Sequence, residues 1–312
     1  MSEMMTMVKR VAVAKRTKLP RVVLLLVGFV LFSVNTVYFV DTESATPLAS
    51  VGNSYRFRFD HLRGDAPPLN AKAAMLVNYE TGEVLYARNP EAVCPIASIS
   101  KLVAAMVVLD KGVDLNCRAV VTQQDAFQSS SSRLRVGWEF SLLDLLRTSL
   151  MVSDNRATRA LARATSGSIV NFVEDMNRKV RQLGLEHTLF FDPTGLDERN
   201  VSTAHEVAKI LHHAYQYHLI AEITSNERAG IKIQNRKNRY LRFTNTNRLV
   251  LSPYKVLAGK TGYICESGHC LATLVANGTN QKLTLVFLGV PGSNLRFRQA
   301  RRLLGWGFKQ LS

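Results

Sequence analysis

Hydrophobic positions change their spacing several times along this chain. Between residues 22 and 40 they are nearly continuous, interrupted by Gly28, Ser33, Asn35 and Thr36. Residues 41–68 are spotted with Ser, Thr and Pro and carry no sustained period, which predicts a linker closing at Pro67-Pro68. Short apolar runs at 74–77 and 84–86 flank the turn Glu80-Thr81-Gly82-Glu83 and predict a β-hairpin. After Pro95 the spacing turns helical over 98–110, with Leu102, Met106 and Val107 apolar and Gly112 as a stop. Helical spacing returns over 142–164, broken or bent at Ser153-Asp154-Asn155, and over 170–184, where Phe172, Val173, Met176 and Val180 share a face. Residues 190–195 read as a loop. Thr203, just before His205-Glu206, reads as the N-cap of a helix reaching about residue 217. The last third is strand-like at 256–257, 270–275 and 282–290, with Asn277-Gly278 as a hairpin turn, before a basic amphipathic helix over 296–308. No internal repeat is evident. Strands at both ends with helices between them predict an α+β fold. One sheet is built from N- and C-terminal pieces, a helical lobe at about 112–250 is inserted, and a cleft lies between the two.

The continuous apolar segment changes the picture first. About twenty such residues span the ~30 Å hydrocarbon layer as a helix. The basic residues before it (Lys9, Arg10, Lys15, Arg16, Lys18, Arg21) hold that end in the cytoplasm, so the remainder is exported. The expected organisation is a cytoplasmic tail at 1–21, a membrane segment at 22–40, a linker at 41–68 and one catalytic domain at 69–312. A cleaved signal peptide is the alternative to a retained anchor. Its apolar core would be shorter, about 7–15 residues, and Asp41 and Glu43 spoil the small residues Thr42, Ser44 and Ala45 as a cleavage site.

The whole chain of 312 residues carries a formal charge of +16, and without residues 1–40 it retains 34 basic against 23 acidic residues. Such a surface suits a polyanion. Export argues against nucleic acid and points to a carboxylate-rich wall polymer or an anionic membrane face. Four cysteines (Cys94, Cys117, Cys265, Cys270) would meet an oxidising compartment, where disulfides are permitted. Cys265 and Cys270 bracket a short turn and are the pair whose bonding is left open. A zinc site from Cys265, His269 and Cys270 is disfavoured because no second ligand pair has metal-site spacing. His205, His212, His213 and His218 do not form the H-E-x-x-H pattern, and a packed or solvated helix face is expected of them.

Three short motifs occur in order: Ser98-Ile99-Ser100-Lys101, Ser153-Asp154-Asn155 and Lys260-Thr261-Gly262. Ser98 and Lys101 stand one helical turn apart on one face. A serine hydroxyl needs a neighbouring base to become a nucleophile. A lysine that is desolvated and crowded by another cation, here Lys260, can lose its charge and act as that base. Singly the motifs are weak. Ser252-Pro253-Tyr254-Lys255 and Ser33-Val34-Asn35 are decoys, although Pro253 disfavours a helical start, and Lys-Thr-Gly occurs once. The ordered trio is the one associated with penicillin-binding proteins and class A β-lactamases.

The flanks sharpen this. Residues 95–102 with 105–110, then Asp192-Pro193-Thr194-Gly195-Leu196, Asn200-Val201-Ser202-Thr203-Ala204, Lys260-Thr261-Gly262-Tyr263 and Gly268-His269-Cys270-Leu271, resemble the low-molecular-mass D-alanyl-D-alanine peptidases over roughly 70–310. The nearest branch in that resemblance is the D-alanyl-D-alanine endopeptidases. It implies a DD-peptidase/β-lactamase-like α/β/α sandwich with a mainly antiparallel sheet. It also implies peptidoglycan peptides as substrate, β-lactams as covalent inhibitors, and no metal or organic cofactor. Ser98 would be the acylating nucleophile, Lys101 its base, and Ser153 a proton relay. Asn155, Lys260, Thr261, Gly262 and Tyr263 would bind substrate, with the Ser98 and Tyr263 amides as oxyanion hole. The implied location is the periplasm, tethered to the inner membrane by residues 22–40. Cys94 stands where a basic residue is expected. The implied reaction is endopeptidase cleavage of D-Ala–diaminopimelate cross-links; trimming of terminal D-alanine is the alternative, and an inactive wall-binding scaffold an alternative of another class. A β-lactamase is disfavoured, because Glu198-Arg199-Asn200 does not match the deacylating E-x-x-L-N pattern.

Overall fold

The computed structural model describes residues 55–60, 62, 65–127 and 132–311. The expected basic tail and membrane segment lie outside the described residues. Among those described, no helix is long and apolar enough to cross a membrane.

In chain order the elements are β1 (Ala73–Asn78), β2 (Val84–Arg88), β3 (Cys94–Pro95), α1 (Ser100–Asp110), β4 (Arg118–Val120), α2 (Gln123–Ala126), β5 (Glu139–Ser141), α3 (Leu142–Met151), α4 (Asn155–Ser166), α5 (Ile169–Gln182), β6 (Val201–Ser202), α6 (Ala204–Tyr215), α7 (His218–Ser225), β7 (Arg228–Lys232), β8 (Tyr240–Thr244), β9 (Lys255–Ile264), β10 (Gly268–Ala276), β11 (Lys282–Val290) and α8 (Ser293–Gln310). The main sheet runs β2-β1-β11-β10-β9, and each of these pairings is antiparallel. N-terminal strands thus pair with C-terminal ones, as the sequence pattern predicts.

Strand alternation divides the core into two layers. On one face Met75, Val77, Ala272, Leu274, Val286 and Leu288 pack with residues of α1 and α6, among them Leu102, Val207 and Leu211. On the other, Leu76, Leu271, Leu285 and Phe287 pack against Phe297, Leu303, Leu304 and Phe308 of α8. The result is a helix–sheet–helix sandwich. α8 lies so close to the sheet that a Cβ on Gly307 would come within 2.5 Å of Leu76 Cδ2.

The helical spacing at 142–164 and 170–184 corresponds to α3, α4 and α5. Thr203 caps α6, its side chain accepting the Glu206 amide. Three features depart from the sequence pattern. The region at 112–250 is not purely helical, because β4 pairs with β5 and β7 with β8. The β7–β8 hairpin does carry a period-two signal, exposed Arg228, Lys232 and Arg242 alternating with the inward Ala229, Ile231 and Phe243, over strands of five residues each. Part of the stretch read as linker packs on the domain: the Tyr55 ring stacks on His212 at 3.8 Å, and the Arg58 backbone bonds to Gly82 and Val84. The aromatic residues Tyr55 and Phe57 supply the apolar surface that a bare tether would lack. Finally, α8 begins at Ser293, three residues earlier than the apolar pattern suggests.

Candidate active site

The turn carrying Ser98 is shaped by its neighbours. Cys94 and Pro95 pair with β6, and the Ile96 amide donates to Asn200 O at 3.0 Å. Ala97 then takes φ +47°, an unusual value for a residue with a Cβ. Residues Ala97–Ile99 form a 3-10 turn, and the α-helix proper starts at Ser100. This refines the single helix predicted over 98–110. A 3-10 turn eclipses positions i and i+3, which sets Ser98 directly over Lys101. Glycines crowd this turn from two sides. A Cβ on Gly262 would stand 3.0 Å from the Ser98 amide nitrogen, and one on Gly195 (φ +81°) 2.7 Å from it. Bulkier residues at either position would displace Ser98.

Lys101 Nζ lies 2.8 Å from Ser98 Oγ and 2.8 Å from Asn155 Oδ1, and it also donates to Thr194 O. Ser98 Oγ donates to the same carbonyl at 3.2 Å. Lys101 is fully buried. Burial pulls its pKa down to about 7, against the opposing pull of Asp192 and Asp154. The crowding expected from Lys260 is therefore not what depresses Lys101; loss of hydration does that. Repulsion falls instead on Lys260. Burial first, then the charges of Lys101 and Arg296, hold it well below the ordinary lysine range.

The lobe delivers the second motif at a break between helices. α3 ends at Met151, Ser153 adopts φ +62°, and Asp154 caps α4 by accepting the Ala157 amide at 3.0 Å. This places Asn155 at the first position of α4. Ser153 Oγ faces the other way along the cleft and accepts from Lys260 Nζ at 2.8 Å.

β9, at the edge of the main sheet, carries the third motif. Lys260 also donates to Thr261 O at 2.8 Å, and Thr261 Oγ1 meets Thr246 Oγ1 at 2.8 Å. Tyr263 is 55% exposed and stacks on His269 with ring centroids 4.3 Å apart. Ser98, Asn155, Thr261, Tyr263, Arg248 and Arg296 line one cleft of about 420 Å³. All eight residues singled out in the sequence thus converge: six line this cleft with Ser153 and Gly262 among them, and Lys101 and Lys260 lie beneath, hydrogen-bonded to its wall.

Several groups escaped the sequence reading. Arg296 opens the stretch read only as a basic amphipathic helix, yet it is 5% exposed and its Nη1 donates to Gly262 O at 3.1 Å and Cys270 O at 2.8 Å. A period reading cannot tell which basic residue of α8 faces the sheet. The loop at 190–200 is a second case. The Asp192 carboxylate accepts from the Thr194 and Gly195 amides, each at 2.9 Å, and buried Asn200 ties Asp192 to Ser100 Oγ at 3.2 Å. This holds the Thr194 carbonyl against Lys101. The motif Asp192-Pro193-Thr194-Gly195 was the available signal. Cys94 and Cys270 are buried thiols, and Cys117 and Cys265 are exposed ones. His205 lies 2.6 Å from Glu91, while His212 is sandwiched with Tyr55.

Known proteins place this geometry in context. Residues 61–292 match the family model described as D-alanyl-D-alanine carboxypeptidase. A "D-alanyl-D-alanine endopeptidase" of Escherichia coli is 37% identical over 243 residues, covering 77% of this chain and 78% of that protein. One of the same description from Pseudomonas aeruginosa is 36% identical over 241 residues, covering 76% and 77%. The solved Streptomyces K15 DD-transpeptidase superposes with a TM-score of 0.73 at 23% identity, covering 78% of this chain and 99% of that one, and so shares the fold. With the match to the family model covering most of its length, this chain belongs to the D-alanyl-D-alanine carboxypeptidase family of serine peptidases.

Proposed function

We propose that this protein hydrolyses D-alanyl peptide bonds of peptidoglycan through an acyl-enzyme on Ser98, cutting D-Ala–diaminopimelate cross-links as its principal reaction. The observation that carries the reading is the 2.8 Å contact between Ser98 Oγ and a buried lysine whose pKa is drawn to about 7. At neutral pH a substantial fraction of Lys101 is then a neutral amine, able to accept the hydroxyl proton as the oxygen attacks the D-alanyl carbonyl. The developing oxyanion is assigned to the Ser98 and Tyr263 amides, which the close approach of Gly262 to Ser98 N supports. Collapse breaks the C–N bond. The leaving amine takes a proton relayed by Ser153, which Lys260 holds in place. Water then attacks the ester and regenerates the hydroxyl.

Asn155, Thr261 and the free edge of β9 are suited to an extended peptide backbone. The cationic end of the cleft, near Arg248 and Arg296, suits the carboxylate of the leaving residue. Endopeptidase action is favoured by the likeness, at 36–37% identity, to proteins described as endopeptidases. Residues 22–40 are proposed as a signal-anchor that holds the domain at the periplasmic face of the inner membrane.

The test uses full-length protein. Fluorescent penicillin should label the wild type and spare Ser98→Ala. Cross-linked muropeptide dimers should be split to monomers while pentapeptide monomers keep their terminal D-alanine. The reverse preference makes the enzyme a carboxypeptidase, and absence of both reactions and of labelling makes it a scaffold.

A further inference from the structure

The β7–β8 hairpin carries a charge pattern that the chemistry above does not use. Residues 227–242 hold six basic side chains against the single acid Glu227, which pairs with Arg228 at 2.9 Å. The register sets Arg228 opposite Thr244, Gly230 opposite Arg242 and Lys232 opposite Tyr240, and these six positions are exposed. Cross-strand partners share a face, so the outward surface of the hairpin is a strip of cations with one aromatic ring and a gap at Gly230. Among the described residues, no acid pairs with the Lys232 ammonium or the Arg242 guanidinium, although the Asp144 carboxylate accepts the Lys232 backbone amide at 3.3 Å. Arg133 adds to the strip: its Nη1 donates to Arg242 O at 2.7 Å and its guanidinium lies 5.0 Å from the Phe243 ring centre.

This strip leads to the catalytic cleft. A shallow depression of about 410 Å³ over Gly230 and Arg242 shares Phe243 and Thr244 with a second one, of about 320 Å³. The second is walled by Ser153 and Asn155, which also line the cleft holding Ser98. The three depressions therefore adjoin, and cations flank the path from the hairpin to Asn155.

We propose that the outer face of β7–β8, with Arg133, is a secondary binding subsite for an acidic peptide, the carboxylate-bearing arm of a cross-linked wall substrate. A cross-linked substrate has two peptide arms with several free carboxylates, and the cleft beside Ser98 engages one short stretch of them. A strip of exposed cations attracts such an arm over a long range and holds it loosely, which suits an insoluble, branched polymer. The inference rests on the proposed function, and its test separates the two.

Full-length wild type and the double variant Lys232→Gln/Arg242→Gln are compared in acylation by fluorescent penicillin and in cleavage of soluble cross-linked muropeptide dimers. Acylation is expected to stay within about twofold, because neither residue reaches Ser98 and a β-lactam does not extend to the hairpin. KM for the dimers should rise about fivefold or more with kcat unchanged, as expected for two exposed charge contacts. Raising salt from about 0.05 to 0.5 M should weaken the wild type more than the variant, which retains the other cations of the strip and cleft. Equal KM values, or a loss of acylation matching the loss of cleavage, overturn the subsite. An effect confined to binding of phosphatidylglycerol vesicles assigns the face to a membrane and overturns it as well. If the wild type neither acylates nor cleaves, the proposed function and the subsite fall together; if it does both and the variant matches it, the subsite alone falls.

Discussion

Gly195 faces the carbonyl of Ala97 so closely that a Cβ there would overlap it and stand 2.7 Å from the Ser98 amide. Two backbone oddities, φ +81° at Gly195 and +47° at Ala97, thus meet on the residue before the nucleophile. Gly195→Ala should cost about 2–4 kcal/mol of stability through clash and strain. It should also slow acylation more than the stability loss explains, because the displaced atoms carry Ser98. Thermal unfolding and penicillin labelling, measured on the folded fraction, check this; normal labelling at wild-type Tm would refute the packing.

Lys101 sets the pH response. Its pKa falls from the ordinary lysine value to about 7 through burial, and the reactive form is the one without the proton. Acylation should therefore climb as pH rises through about 7 and drop below it. Lys101→Arg, which stays charged at any accessible pH, should lower acylation about 10³-fold or more without restoring a rising limb. Stopped-flow acylation between about pH 5.5 and 9 reads both outcomes.

The Lys260–Ser153 contact of 2.8 Å makes a different prediction. Ser153→Ala leaves Lys260 buried with Thr261 O as its remaining acceptor among the described residues, and breaks the assigned proton route to the leaving amine. Acylation should fall about 10²-fold. Lys260→Arg should do no better, because a planar guanidinium does not fit a slot where the side chain is 1% exposed. Retention of wild-type rates in Ser153→Ala would remove it from the relay.

Thiol accessibility offers a check independent of catalysis. Cys117 and Cys265 are exposed and Cys94 and Cys270 buried, with burial raising the pKa of both buried thiols. An aromatic disulfide reagent should titrate two thiols of the native, reduced protein quickly and the other two upon unfolding. Rapid reaction of Cys270 would contradict its buried place within β10.

How far the molecule was legible in one dimension depended on the range of the forces involved. Apolar runs at 74–77, 270–275 and 282–290 and helical spacing at 98–110 and 170–184 depend on near neighbours, so strands, helices and the three motifs could be read directly from residue order. Ser98 and Lys101 belong to that class, because an i, i+3 relation is local. The pairing of β1 with β11, which joins residues some two hundred positions apart, and the meeting of Lys260 with Ser153 depend on how the lobe closes over the sheet. Burial likewise belongs to the folded whole. Desolvation, rather than a neighbouring lysine, draws Lys101 toward neutrality, and packing of α8 turns Arg296 from a surface cation into a buried donor at Gly262. Residue order thus determined which chemistry was present; long-range packing, which excludes water and sets distances, decided how it is tuned.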